Sequence, residues 1–237
     1  MTAAVHATSA RDRSPLRAEL LQAVVRLVLG AVLVGLIVCG VGLLLAHPLT
    51  RAGFTHFEGG VDRWFAAHRS SGWNQVTNAA SVAGDTPAAV GVSVVAFILL
   101  RLLVGRWREP ILLAVSMLGE VAIFIVSTSV VGRHRPTVAH LDGSPPTSSF
   151  PSGHTAASTT LYGTLAIVVL AYAGRALWRA GAVVLAMVIV LSIGLSRLYR
   201  GMHYPTDVAG GILLGLLWIT VTSLVILSGH RPRDRAR

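Results

Sequence analysis

The sequence contains no lysine; all 20 of its basic residues are arginine. Uniform arginine usage reads first as codon bias towards a GC-rich genome and only weakly as selection. Charge of either sign is scarce: 13% of residues are charged, where a soluble domain carries about 25%. The deficit excludes an ordinary water-soluble domain and makes lipid the solvent for much of the chain. Cysteine is nearly absent as well. Cys39 stands alone inside an apolar run, which excludes an internal disulfide and any metal site built on cysteine pairs. The net charge of +10 raises the question of nucleic acid. The arginines are spread between apolar segments and form no single basic face, so no nucleic-acid partner is expected. A cleavable signal peptide is not expected either, because the first apolar run, Leu27 to Ala46, is of full membrane length.

What the chain has in abundance is apolar sequence: 53% of its residues are hydrophobic and its mean hydropathy is +0.67. Six runs are long enough, or nearly so, to cross about 30 Å of hydrocarbon. They cover roughly 24–46, 86–105, 110–132, 152–173, 178–196 and 207–228, the fifth being short. The expected fold is all-α, a bundle of six transmembrane helices. Between helices one and two, Phe57, Val61, Trp64 and Phe65 recur at helical spacing, which predicts an amphipathic segment at the interface, with Trp64 and Trp73 at head-group depth. The expected division is a tail over 1–23, one membrane domain over 24–228 and a basic tail over 229–237. Arg106 and Arg108, Arg175 and Arg179, and the arginines of both tails all fall on one side of a six-span topology. The positive-inside rule makes that side cytoplasmic, in a multi-pass protein of the plasma membrane.

The opposite side gathers the unusual residues. Gly132-Arg133-His134-Arg135-Pro136 follows the third run, Phe150-Pro151-Ser152-Gly153-His154 opens the fourth, and Ser196-Arg197 through His203 to Asp207 joins the fifth to the sixth. Arginine forks suit phosphate oxygens, which points to Arg135 and Arg197, with Arg133 an additional candidate. Ser152-Gly153-His154 behind Pro151 has the character of a helix start, where backbone N–H groups and the helix dipole favour an anion. Two histidines on different segments can divide the work of nucleophile and acid. His203 has Asp207 four residues later, on one face of a helical turn, so the carboxylate can hold one ring nitrogen while the other attacks phosphorus. His154 then protonates the departing oxygen. His134 and Arg200 read as ordinary loop residues.

These segments closely resemble the type 2 phosphatidic acid phosphatase superfamily, which includes lipid phosphate phosphatases and vanadium haloperoxidases. The family signature is Lys, six residues, Arg-Pro; then Pro-Ser-Gly-His; then Ser-Arg, five residues, His, three residues, Asp. Pro151 to His154 completes the second part, and Ser196-Arg197, His203 and Asp207 complete the third. Arg135-Pro136 match the first, but its lysine falls on Thr128. The resemblance implies a membrane lipid phosphatase hydrolysing a lipid phosphate or diphosphate (polyprenyl diphosphate, phosphatidic acid or phosphatidylglycerophosphate). It implies a phosphohistidine on His203, Asp207 orienting that ring, and His154 as acid and then base. The phosphate is held by Arg135, Arg197, Ser152 and the Gly153 backbone, with Arg133 as an extra cation. The resemblance implies no cofactor and no metal. A family member active in lipid binding or transport is the alternative that Thr128 favours, and a phosphotransferase that hands the phosphoryl group to an acceptor other than water is a third reading; the sequence leaves the oligomeric state open.

Overall fold

The structure is a computed structural model that describes residues 13–143 and 146–227. Most of the expected tails, including Arg11, Arg231, Arg233, Arg235 and Arg237, lie outside the described residues. Among the described residues eight helices follow one another: α1 (Arg13–Ala46), α2 (Pro48–Ala67), α3 (Ser71–Ala83), α4 (Thr86–Val104), α5 (Arg108–Val131), α6 (Gly153–Tyr172), α7 (Ala176–Tyr199) and α8 (Pro205–Leu227). Six of them, α1 from Arg17 onward and α4 to α8, are long and apolar enough to cross a membrane. The chain is an all-α, multi-pass membrane protein. Its outward faces carry the side chains that lipid accepts, such as Leu36, Leu103, Leu118 and Leu177, all more than half exposed.

Two boundaries and one whole helix differ from the sequence expectation. Helix α1 begins at Arg13, well before residue 24, because its polar first turns continue the helix beyond the apolar stretch. Helix α7 runs to Tyr199 and spans 24 residues, where a short run ending at 196 is expected. Its last turn is polar by composition yet buried. The Ser196 hydroxyl donates back to the Ile193 carbonyl (2.7 Å), and Arg197 and Tyr199 find partners on α3. The third difference is α3, which the sequence does not announce. Ser70 starts it, its hydroxyl accepting from the Trp73 N–H at 3.3 Å.

Helix α6 lies at the centre, packed against α5, α7 and α8, while α1 packs on α5 and α8. Close approach of α6 and α8 depends on glycine. A Cβ on Gly211 would stand 2.5 Å from the Ser152 carbonyl oxygen, and one on Gly215 would stand 2.6 Å from Thr159 Cβ. Val34 and Val38 of α1, Ile123 and Val131 of α5, Phe150 and Leu214 form a buried apolar cluster. Polar links tie α5 to α8: the Trp218 indole N–H donates to the Ser116 carbonyl (2.8 Å), and the Ser116 and Thr222 hydroxyls are 2.9 Å apart.

The connectivity brings the C-termini of α5 and α7 and the N-termini of α6 and α8 to one end. Helices α2 and α3 and the α3–α4 turn cover that end. Arg106, Arg108, Arg175 and Arg179 lie at the other. Helix α2 is amphipathic in an unusual sense. It exposes Phe57 (67%) and Trp64 (56%) and buries two carboxylates, Glu58 and Asp62.

Candidate active site

Helix α5 stops at Gly132, whose φ of 60° places it in the left-handed region that glycine tolerates. The chain then turns Arg133 and Arg135 under the N-termini of α6 and α8. The two arginines face different ways. Arg135 points to the histidine loop: its Nη1 donates to the Met202 carbonyl at 2.8 Å and lies 3.4 Å from His203 Nε2. Arg133 is turned away from that loop. Its Nη1 contacts Asp207 Oδ1 (2.5 Å) and Thr206 Oγ1 (2.7 Å), its Nη2 contacts Glu58 Oε2 (2.6 Å), and its guanidinium lies over the Tyr204 ring. Both terminal nitrogens are taken, which departs from the expected phosphate-facing Arg133. The residue is buried between two carboxylates and serves as their counter-ion.

His203 is buried, and its Nδ1 lies 2.7 Å from the Ser149 carbonyl oxygen. A carbonyl only accepts, so Nδ1 carries the hydrogen and Nε2 keeps its lone pair. The sequence assigns this orienting contact to Asp207. In the structure Asp207 Oδ2 is 3.8 Å from Nδ1, beyond hydrogen-bond range. Asp207 instead accepts the Tyr204 N–H (2.9 Å) through Oδ2 and the Arg133 guanidinium through Oδ1. It therefore braces the backbone just after His203 and places a negative charge beside the ring. Burial pushes the His203 imidazole below its ordinary range despite Asp207, and Arg135 and Arg197 add to the push.

Arg197 emerges from the last turn of α7, 4% exposed. Its Nη1 donates to the Ser81 hydroxyl and to Asp142 Oδ2 (2.8 Å). Asp142 also receives Arg200 through Nε and Nη2. Burial works against the ionised Asp142 carboxyl, but hydrogen bonds from Arg200 and the charges of Arg197 and Arg200 hold it below its ordinary value. The Nε atoms of both Arg135 and Arg197 are buried and have no hydrogen-bond partner among the described residues. Two such N–H groups beside one histidine are donors of the kind an oxyanion satisfies.

Ser152 is fully buried at the N-cap of α6, its hydroxyl accepting from Thr155 (3.0 Å) and its N–H donating to the Asp207 carbonyl. Its side chain makes no cap bond, so the first-turn N–H groups that begin at Gly153 have no acceptor within the helix. Gly153 is packed on Phe124, where a Cβ would stand 2.9 Å from the ring. His154 follows in the same turn and interacts electrostatically with Arg197 and His203. Its Nε2 lies 2.6 Å from Asp85 Oδ1. Thr128 donates its hydroxyl to the Ile125 carbonyl of its own helix and brings no charge to the site.

The expected residues Arg135, His154, Arg197, His203 and Asp207 thus converge with the start of α6, whereas Arg133 stands behind Asp207. Asp85, Asp142, Glu58 and Arg200 are missed by sequence reasoning. Asp142 is the one carboxylate in the sequence between Arg135 and Arg197. Glu58 and Asp62, four residues apart, lie opposite the apolar face of α2. Either pattern was available as a signal; Asp85, an acidic residue ahead of Thr86-Pro87, reads only as a helix cap.

A bundle with six helices long and apolar enough to cross a membrane, and with two histidines and two arginines gathered at one end, is a multi-pass membrane protein with a buried cluster of cationic and imidazole side chains. The chain belongs to the PAP2 superfamily, whose sequence profile matches residues 109–229. It is 35% identical to a decaprenylphosphoryl-5-phosphoribose phosphatase of Mycobacterium tuberculosis over 56% of this chain and 68% of that one. It is 30% identical to an undecaprenyl-diphosphatase of Sulfolobus acidocaldarius over 54% of this chain and 61% of that one. In fold it is similar to the crystal structure of a transmembrane PAP2-type phosphatidylglycerolphosphate phosphatase from Bacillus subtilis. The TM-score is 0.73 at 21% identity, covering 86% of this chain and 98% of that one.

Proposed function

We propose that the chain is a membrane lipid phosphatase that hydrolyses a lipid phosphate or diphosphate through a phosphohistidine on His203. The observation that carries this reading is the Nδ1–H of His203 on the Ser149 carbonyl, which leaves the Nε2 lone pair beside Arg135. The depressed basicity of the ring keeps that lone pair free at neutral pH. In the first half-reaction His203 Nε2 bonds to phosphorus while the bond from phosphorus to the leaving oxygen breaks. His154 gives that oxygen its proton. Arg135, Arg197 and the first-turn N–H groups of α6 meet the charge on the other phosphate oxygens. In the second half-reaction a water oxygen bonds to phosphorus, the N–P bond breaks, and the water's proton returns to His154.

The substrate class is a phosphate or diphosphate on a membrane-embedded tail: polyprenyl diphosphate, phosphatidic acid or phosphatidylglycerophosphate. The relatives' names support the polyprenyl and phosphatidylglycerophosphate members of this range. The site end is opposite the Arg106–Arg108 and Arg175–Arg179 connections, which supports an extracytoplasmic site with cytoplasmic termini. Phosphate release from a panel of these lipids by purified protein tests the reading. His203→Ala is expected to abolish turnover and the acid-labile phosphoenzyme; turnover retained by that variant would remove the nucleophile.

Thr128 favours a second reading, a weakened family member that binds or moves lipid. In that case no labelled phosphoenzyme forms on any lipid of the panel, and Thr128→Lys creates the activity.

A further inference from the structure

The two histidines are held by different devices. His203 rests on a backbone carbonyl. His154 rests on a carboxylate from outside the matched segment 109–229, Asp85 in the turn between α3 and α4. Asp85 occupies the N-cap of α4 with φ −68° and ψ 155°, the extended conformation of a capping residue, yet its side chain makes no cap hydrogen bond. An aspartate at this position ordinarily accepts from the N–H of the second or third helical residue. The second residue here is Pro87, which has no N–H, and the Asp85 side chain does not take the N–H of the third, Ala88, either. The carboxylate is released from the helix and directed across to His154 Nε2 at 2.6 Å. The residue before it makes the approach possible. A Cβ on Gly84 would stand 2.7 Å from Ile193 Cγ2 and 3.3 Å from His154 Cδ2, so the backbone of the turn lies against the Nε2 edge of the ring.

From this geometry, and resting on the proposed acid role of His154, we infer that Asp85 is a positioning residue. It fixes the His154 ring through Nε2 and assigns Nδ1 as the atom that gives the leaving oxygen its proton. Nε2 is engaged as a donor to the carboxylate, and Nδ1 makes no hydrogen bond among the described residues. The groups facing the ring are Arg197 from α7, His203 from the following loop and Asp85 itself. Asp85 is the one carboxylate among them, and its negative charge favours the protonated ring against the positive charge of Arg197.

A leaving-group comparison tests the inference in the full-length protein in detergent. An alkyl phosphate such as phosphatidic acid needs a proton on its departing oxygen; p-nitrophenyl phosphate, whose phenolate leaves unaided, does not. For Asp85→Asn, kcat/KM on phosphatidic acid, which reports phosphoenzyme formation without the water step that both substrates share, is expected to fall about tenfold or more, with kcat/KM on p-nitrophenyl phosphate within about threefold. Asp85→Glu restores part of the loss. Equal loss on both substrates, or no loss on either, overturns the inference. His154→Ala separates the underlying reading: it is expected to show the same selectivity in stronger form. If His154→Ala is selective and Asp85→Asn is not, the role of Asp85 fails while the acid stands. If His154→Ala is itself unselective, the acid role fails and the role of Asp85 with it.

Discussion

Replacing Arg133 by methionine is the perturbation that best separates the structural assignment of this residue from the sequence expectation. Arg133 is 8% exposed, and its guanidinium reaches Asp207 at 2.5 Å and Glu58 at 2.6 Å. Asp62 is also buried nearby, with neither carboxyl oxygen partnered among the described residues. Methionine fills much of the same volume and removes the one cation that, among the described residues, contacts both Glu58 and Asp207. Breaking a buried ion pair from one side costs about 3–5 kcal/mol, because the remaining charge is left uncompensated. For a chain of this size, each kcal/mol lowers the melting temperature by about 2–4 °C, so a fall of about 6–20 °C is expected. Tryptophan fluorescence during heating in detergent measures it. The second arm is competitive inhibition by inorganic phosphate at a temperature where the variant is folded. Arg133→Met is expected to leave the inhibition constant within about threefold, whereas Arg135→Met raises it by about tenfold or more. A variant that melts within about 2 °C of the parent yet loses phosphate inhibition would refute the reasoning and return Arg133 to the phosphate.

The Asp62 carboxyl is pushed up to about 7 from 3.8, first by burial and then by Glu58 and Asp207. Between those values the folded chain keeps a proton that the unfolded chain releases, so stability falls as pH rises through that window and levels off above it. Asp62→Asn is therefore expected to raise the melting temperature more at pH 8 than at pH 4; equal gains would contradict the assignment. His203 must be neutral to attack, and burial holds its imidazole below 6.5. The acid limb of kcat/KM, corrected for the ionisation of the substrate, is expected below pH 6.5, with activity lost as pH falls through the folded-state value. An acid limb above pH 6.5 would count against a buried nucleophile. Gly211→Ala puts a methyl 2.5 Å from the Ser152 carbonyl oxygen and 3.0 Å from the Ala156 nitrogen, both backbone atoms that cannot turn aside. It is expected to part α8 from α6 and lower melting temperature and turnover together; an unchanged melting temperature would show that the helices have room.

The sequence was informative where one residue's chemistry decides the matter and silent where the partner comes from far along the chain. Apolar length alone makes six helices legible, because lipid leaves the backbone no other way to satisfy its polar groups. The spacing of Ser196-Arg197, His203 and Asp207 is legible because those residues share one helix end and the loop that follows. The roles of Arg133 and Asp207 were not, and for the same reason. An arginine two positions from a phosphate-binding candidate looks like a second ligand until Glu58, 75 residues earlier, is placed against it. An aspartate four residues after a histidine looks like its hydrogen-bond partner until the Ser149 carbonyl, 54 residues earlier, takes the ring nitrogen. Helix α2 carries the same lesson. Its aromatic spacing announces an interfacial helix, but spacing cannot say that the opposite face is buried and charged. That buried face gives α2 a second task. An interfacial helix that holds Glu58 against Arg133, and through it Asp207 beside His203, joins the membrane surface to the proposed nucleophile in three contacts.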